Sequence, residues 1–118
     1  MTNQEIFDKA LNGILRQGVP SMTDHGLCKY RGPNNTACAV GLFLTDEEAE
    51  AMDADPGMCA IKDLPRGLVP ERLHPHMNLL ADIQWAHDRA SGRTPFVEEY
   101  KQSMRKVAKD WNLEMGGV

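Results

Sequence analysis

Ile6, Phe7, Ala10, Leu11, Ile14 and Leu15 recur at intervals of three and four residues, the spacing of one helix face. Thr2 followed by Glu5 is a capping-box pattern ahead of this run, and Gly18 and Pro20 close it. Thr45 and Glu48 repeat the box before a second helix, which runs to about Met52 with Asp46 and Glu47 in its first turn. His76, Leu80, Ile83, His87 and Ala90 form a third stripe, which opens at Pro75, a residue suited to a first helical turn. Val97, Tyr100, Met104, Val107 and Trp111 follow in 3–4–3–4 spacing, with Thr94 expected as cap and Pro95 as the first helical residue. Glu98 and Glu99 early, and Arg105, Lys106 and Lys109 late, suit the dipole of this last helix. Its apolar stripe is expected in the core; a homodimer seam is the alternative use.

Between the first two helices the pattern changes. Residues 21–26 read as a turn that leaves His25 exposed. Residues 27–31 alternate in character and predict a short strand. Gly32, Pro33, Asn34 and Asn35 supply turn chemistry, since proline presets φ and asparagine tolerates the left-handed region. Residues 37–44 are then expected to return as a second strand of a hairpin; a helix capped by Thr36 is the alternative. Pro56, Pro65, Pro70 and Pro75 break the segment from 53 to 75. It is expected to be irregular around a short helical turn, with Ile61, Leu64, Leu68, Val69 and Leu73 docking separately and Cys59 a small buried hydrophobe. The expected fold is a helix-rich α+β single domain over residues 1–118, with a short β-hairpin packed on three or four helices.

Composition narrows the function classes. At 118 residues, 42% hydrophobic and 25% charged, the chain can bury a core without metal or disulfide staples. Three cysteines at irregular spacing do not read as a disulfide framework. No apolar run is long enough to span a bilayer, and residues 1–5 lack the basic and apolar blocks of a signal peptide. A cytoplasmic location is expected, in which the Asn34-Asn35-Thr36 sequon goes unused. The net charge of −4 lacks the positive footprint of a nucleic-acid binder.

The candidate chemistry lies in cysteines and histidines. Cys28, Cys38 and His87 raise the question of zinc, yet no C-x-x-C pair is present, and no metal or other cofactor is expected. Cys38 with His87 and Asp88 is the thiol-enzyme alternative. On a helical wheel Asp88 projects about 100° from His87, which is unfavourable for orienting that imidazole. Trp85 lies off the core stripe, roughly opposite Ile83, and tryptophan is enriched at binding hot spots. Trp85, Arg31 and Tyr30 are therefore the expected partner-contacting residues, with Trp85 packed under the proline-rich segment as the alternative. On a strand Tyr30 and Arg31 would face opposite ways, so that at most one of them contacts a ligand, and Arg31 can pair with Asp88 or with an acid from residues 46–50.

The run Cys28-x-Tyr30-Arg31-Gly32, followed by Cys38-Ala39-Val40-Gly41, resembles a pattern in small uncharacterised proteins of bacteriophages and bacterial genomes. Ile6-Phe7-Asp8, Asp46-Glu47, Leu80-Ala81-Asp82-Ile83-Gln84, His87-Asp88 and Val107-Ala108 are similar to further parts of it, so the likeness spans most of the chain and fits the proline-rich middle least. The resemblance implies a phage or bacterial setting and no particular catalysis. It groups Cys28, Tyr30, Arg31, Cys38, His87 and Asp88 as one constellation. The function expected is that of a small phage-type accessory protein that binds a protein partner, such as a bacterial host factor, without catalytic residues. A cysteine–histidine enzyme and a zinc-stabilised binding module are the alternatives.

Overall fold

A computed structural model describes residues 1–23, 28–54 and 60–116. His25 and Cys59 lie outside the described residues. Four α-helices carry the fold: α1 (Asn3–Gln17), α2 (Asp46–Asp53), α3 (Met77–Ser91) and α4 (Phe96–Asp110). Both capping boxes form as expected, with the Thr2 and Thr45 hydroxyls accepting from the Glu5 and Glu48 backbone amides. Gly18 ends α1 in the left-handed region at φ 77°, where its lack of a Cβ removes the steric penalty.

The start of α4 differs from expectation. Pro95, not Thr94, stands at the cap position, its carbonyl accepting from Glu99 N at 3.1 Å, and the Thr94–Pro95 peptide is cis. The third helix begins at Met77, two residues beyond Pro75, which lies inside a 3-10 segment, Glu71–His76.

α3 and α4 make the most extensive helix–helix contact. They run antiparallel: Trp111 at the end of α4 donates to Asp82 near the start of α3 at 2.8 Å, while Arg89 late in α3 reaches Glu99 and Ser103 early in α4. α1 packs across both. Tyr100, Met104, Val107 and Ala108 of α4 are buried against Ile6, Phe7, Ala10 and Leu11 of α1 and Leu80 and Ile83 of α3 in one apolar core. The α4 stripe is thus occupied within the chain. The buried Tyr100 hydroxyl is accommodated by donating to the Ala10 carbonyl at 3.0 Å.

The expected α+β fold is not what forms. The described residues contain no strand ladder, only isolated antiparallel bridges at Met22–Cys28 and Arg31–Ala37, and the fold is all-α. Residues 37–44 do return antiparallel to residues 28–31 for one step, but the chain then tightens into the 3-10 turn Gly41–Phe43. One step of the ladder is diverted: Asp53 takes Tyr30 N, and the Cys38 carbonyl that this N–H would meet accepts from Leu42 N at 3.3 Å instead. The outward-facing groups are taken as well. Asp53 accepts from Tyr30 N and Arg31 N at 2.9 and 3.0 Å, and Gln17 takes both Ala37 groups, accepting from its N–H at 2.9 Å and donating to its carbonyl at 3.0 Å. Side chains fill the places that a neighbouring strand would take. The proline-rich segment behaves as expected where it is described: it forms 3-10 turns at Ile61–Asp63, Arg66–Leu68 and Glu71–His76, and Ile61, Leu64, Val69 and Leu73 are buried separately.

Candidate functional site

The segment from Tyr30 to Leu44 is held against α2 at both ends of that helix, by the Asp53 carboxylate on Tyr30 N and Arg31 N and by the Arg31 guanidinium beside Asp46. Arg31 donates to the Gly41 and Leu44 carbonyls at 2.6 and 2.8 Å and to the Asp46 carboxylate at 3.1 Å. The pairing expected between Arg31 and an acid of residues 46–50 is therefore present. Most of its donors serve groups inside the fold, so Arg31 has a fastening role, with its side chain still 29% exposed. Tyr30 requires a correction: only 2% of it is exposed, and its hydroxyl accepts from Gln84 Nε2 at 3.3 Å in the core. An aromatic ring after a polar residue carries no label saying which side it faces, and here the core takes it.

His87 is fully buried on α3 and sits edge-on to Phe96, with ring centroids 5.9 Å apart. Ser21 N donates to its Nε2 at 3.2 Å. That bond assigns the proton to Nδ1, which donates to Asp88 Oδ1 at 2.9 Å. The wheel argument against this pair is thereby overturned. A wheel angle places Cβ atoms, and two side chains of this length close the remaining gap. Ser91 Oγ donates to the His87 carbonyl at 2.8 Å and steadies the same turn.

Cys28 joins this pair. One donor atom from each of Cys28, His87 and Asp88 lies within 4.8 Å of the other two, with Cys28 and Asp88 half-buried. The thiol arrives on the Met22–Cys28 bridge, whose neighbourhood is fixed by Ser21, the residue that also holds His87: Ser21 Oγ donates to the Lys29 carbonyl at 2.8 Å and Lys29 N to the Ser21 carbonyl at 3.2 Å.

Cys38 is not in that cluster. It is 2% exposed, its sulfur accepts from Gly41 N at 3.3 Å, and burial pushes its thiol up to about 12. At neutral pH it is a protonated thiol, whereas a cysteine nucleophile must supply thiolate. The enzyme reading built on Cys38 and His87 loses its nucleophile, and the His87 lone pair needed for a base is already taken by Ser21 N–H. The four-residue set of Cys28, Cys38, His87 and Asp88 resolves into a cluster of three and one core cysteine.

Trp85 stands apart from all of these. It is 44% exposed, against complete burial for Ile83 and Ala86 beside it. With Arg89, Gln102, Ser103 and Lys106 it lines a cleft of about 210 Å³ between α3 and α4. Lys106 Nζ lies 5.7 Å from the Trp85 ring centroid. The lining holds two cations and no carboxylate; Glu99 and Asp110 pair with those cations from its margins. The off-stripe position of Trp85 was legible in the sequence. The residues that organise the other site, Ser21, Gln17, Asp53 and Gln84, were not, because nothing in their spacing distinguishes them from solvated polar residues. No family model, curated protein or solved structure matches the chain, and no helix among the described residues is long and apolar enough to cross a membrane.

Proposed function

We propose that this chain is a non-catalytic protein-binding module and that the α3–α4 cleft around Trp85 is its contact surface. The observation that carries the reading is Trp85 itself: a large indole left 44% exposed in a helix whose neighbouring positions are sealed in the core. Indole surface beside a cation is the composition of an interface anchor. The exposed indole, flanked by the stems of Arg89 and Lys106, fits a partner segment that presents an apolar side chain to the cleft. The phage or bacterial setting and a host protein as that partner belong to this reading through the motif resemblance alone, and a cytoplasmic location is carried into it as the expectation from the sequence.

The test is affinity capture from bacterial lysate with the wild-type chain and with Trp85→Ala, alongside thermal melts of both. The expected result is a partner retained by the wild type, lost at least about tenfold with Trp85→Ala, and weakened by Lys106→Glu. Trp85→Ala should leave the folded state within about 1 kcal/mol of wild type, because half the indole is already in water. Equal retention by wild type and Trp85→Ala, no retained protein, or a collapse in stability would overturn it.

A further inference from the structure

We propose that Cys28, His87 and Asp88 bind a zinc ion in a three-ligand site that pins the segment after α1 to α3. The set is chemically matched to that ion. Thiolate, imidazole and carboxylate are each zinc donors, and three protein ligands with one open position is an established arrangement for it. The carboxylate argues against copper(I), and the thiolate with the imidazole argues against magnesium or calcium. Geometry agrees with chemistry. Bonds of about 2.0–2.3 Å at tetrahedral angles put donor atoms about 3.3–3.7 Å apart, so a cluster within 4.8 Å needs its widest separation to close by at most about 1.5 Å while the His87–Asp88 pair, now at 2.9 Å, opens by about half an ångström.

Charge supports the same assignment. A Cys28 thiolate and an Asp88 carboxylate together cancel the two charges of the ion, and neutral His87 adds none. The loaded site is therefore neutral overall, which suits a place where the imidazole is fully buried. Two of the ligands lie next to each other on a rigid helix, and the third comes from a segment tied down at Ser21. Only Cys28 has far to settle.

One consequence is specific to this arrangement. Nδ1 is the imidazole nitrogen on the Asp88 side, and in the unloaded protein it carries the proton. Zinc on Nδ1 moves that proton to Nε2, which then faces Ser21 N–H, donor against donor, where there is now a 3.2 Å hydrogen bond. Loading must therefore shift the turn at Ser21. Zinc at this position acts on the conformation of the segment after α1 as well as on its stability. The site does not depend on the partner-binding role of Trp85, which projects elsewhere from α3.

The experiment is titration of the metal-stripped full chain with zinc, followed by calorimetry and by the backbone amide spectrum, and repeated with cobalt(II) as an optical probe. The expected outcome is one ion per chain, a thiolate-to-cobalt charge-transfer band, and a displaced Ser21 amide signal. Cys28→Ser and Asp88→Asn each remove a direct ligand and should weaken binding by at least the roughly 10- to 100-fold that loss of an outer-shell partner costs. Both positions are half-buried, so these variants keep the fold testable where His87 substitutions would not. A melting temperature unchanged in each variant without zinc would confirm that. Zinc binding that is absent, or that survives Cys28→Ser and Asp88→Asn unchanged, would overturn the proposal. So would a charge-transfer band retained in Cys28→Ser.

Discussion

The α1–α3–α4 bundle and the segment between α1 and α2 are held together by different physics. In the bundle, apolar side chains at helical spacing meet in a common core, and polar bonds such as Tyr100 to Ala10 only satisfy what burial would otherwise strand. In the segment, individual side chains reach to named backbone atoms: Gln17 to Ala37, Asp53 to Tyr30 and Arg31, Arg31 to Gly41 and Leu44, His87 to Ser21. Arg72 adds a bond to the Phe43 carbonyl at 2.8 Å. The first mode spreads stability over many replaceable contacts. The second concentrates it in a few that have no substitute, and both candidate sites inherit this contrast. Trp85 sits on the redundant part, and Cys28 on the fragile one.

The largest effect that would sharpen this contrast belongs to Gly41. A Cβ there would collide with the Tyr30 carbonyl, a backbone group that cannot yield. Gly41→Ala should cost about 3 kcal/mol or more in urea unfolding and release the turn that Arg31 caps. A change below about 1 kcal/mol would mean that the segment has slack and that the division is wrong.

A matched pair of arginines gives the next largest effect. The side chains of Arg31 and Arg89 are almost equally exposed, 29% and 31%, but Arg31 serves backbone carbonyls whereas Arg89 serves the Glu99 and Ser103 side chains. Arg31→Ala should destabilise by about 2 kcal/mol, because the Leu44 carbonyl loses its guanidinium donor and the Gly41 carbonyl keeps only Leu44 N–H, and Arg89→Ala by about 1 kcal/mol or less. Equal costs in parallel chemical denaturation would erase the distinction.

The smallest expected effect is a pH dependence at the junction of α2 with the proline-rich segment. The Arg72 guanidinium, with hydrogen bonds of 2.6 and 2.7 Å, and then the Thr45 backbone amide hold the Glu48 carboxyl down to about 2, from its ordinary 4.5. A depressed folded-state value contributes stability that is complete above pH 4.5 and is lost as pH falls towards 2. The Arg72 side chain is 52% exposed, so solvent screening keeps the contribution small. Urea midpoints measured across that range should converge for wild type and Glu48→Gln as the pH drops; curves that stay parallel would remove Glu48 from the account.

What could be read in the sequence divides along the same line. The stripes of α1 and α4 and both capping boxes follow from local chemistry, and the structure contains them. The hairpin expected over residues 27–44 failed because a short apolar run is compatible with strand or turn, and the decision fell to the turn that draws Leu42 N onto the Cys38 carbonyl and to Asp53, a distant residue whose role no spacing announces. Asp53 was hidden in an acidic run that looked like a solvated face. The Cys28–His87–Asp88 cluster was half legible: its members were singled out together, but Cys38 was included with them and Asp88 discounted, since neither burial depth nor side-chain reach can be read from residue order. The excess of Trp85 over what the core needs was visible in the wheel, and its exposure agrees with it.

Gln17 ties the two regions together. It is the final residue of α1, where a helix frays first, and it holds both backbone groups of Ala37. Those two bonds need the last turn of the helix wound, so fraying of that turn would free Ala37 while Asp53 and Arg31 still hold the residues on either side of it.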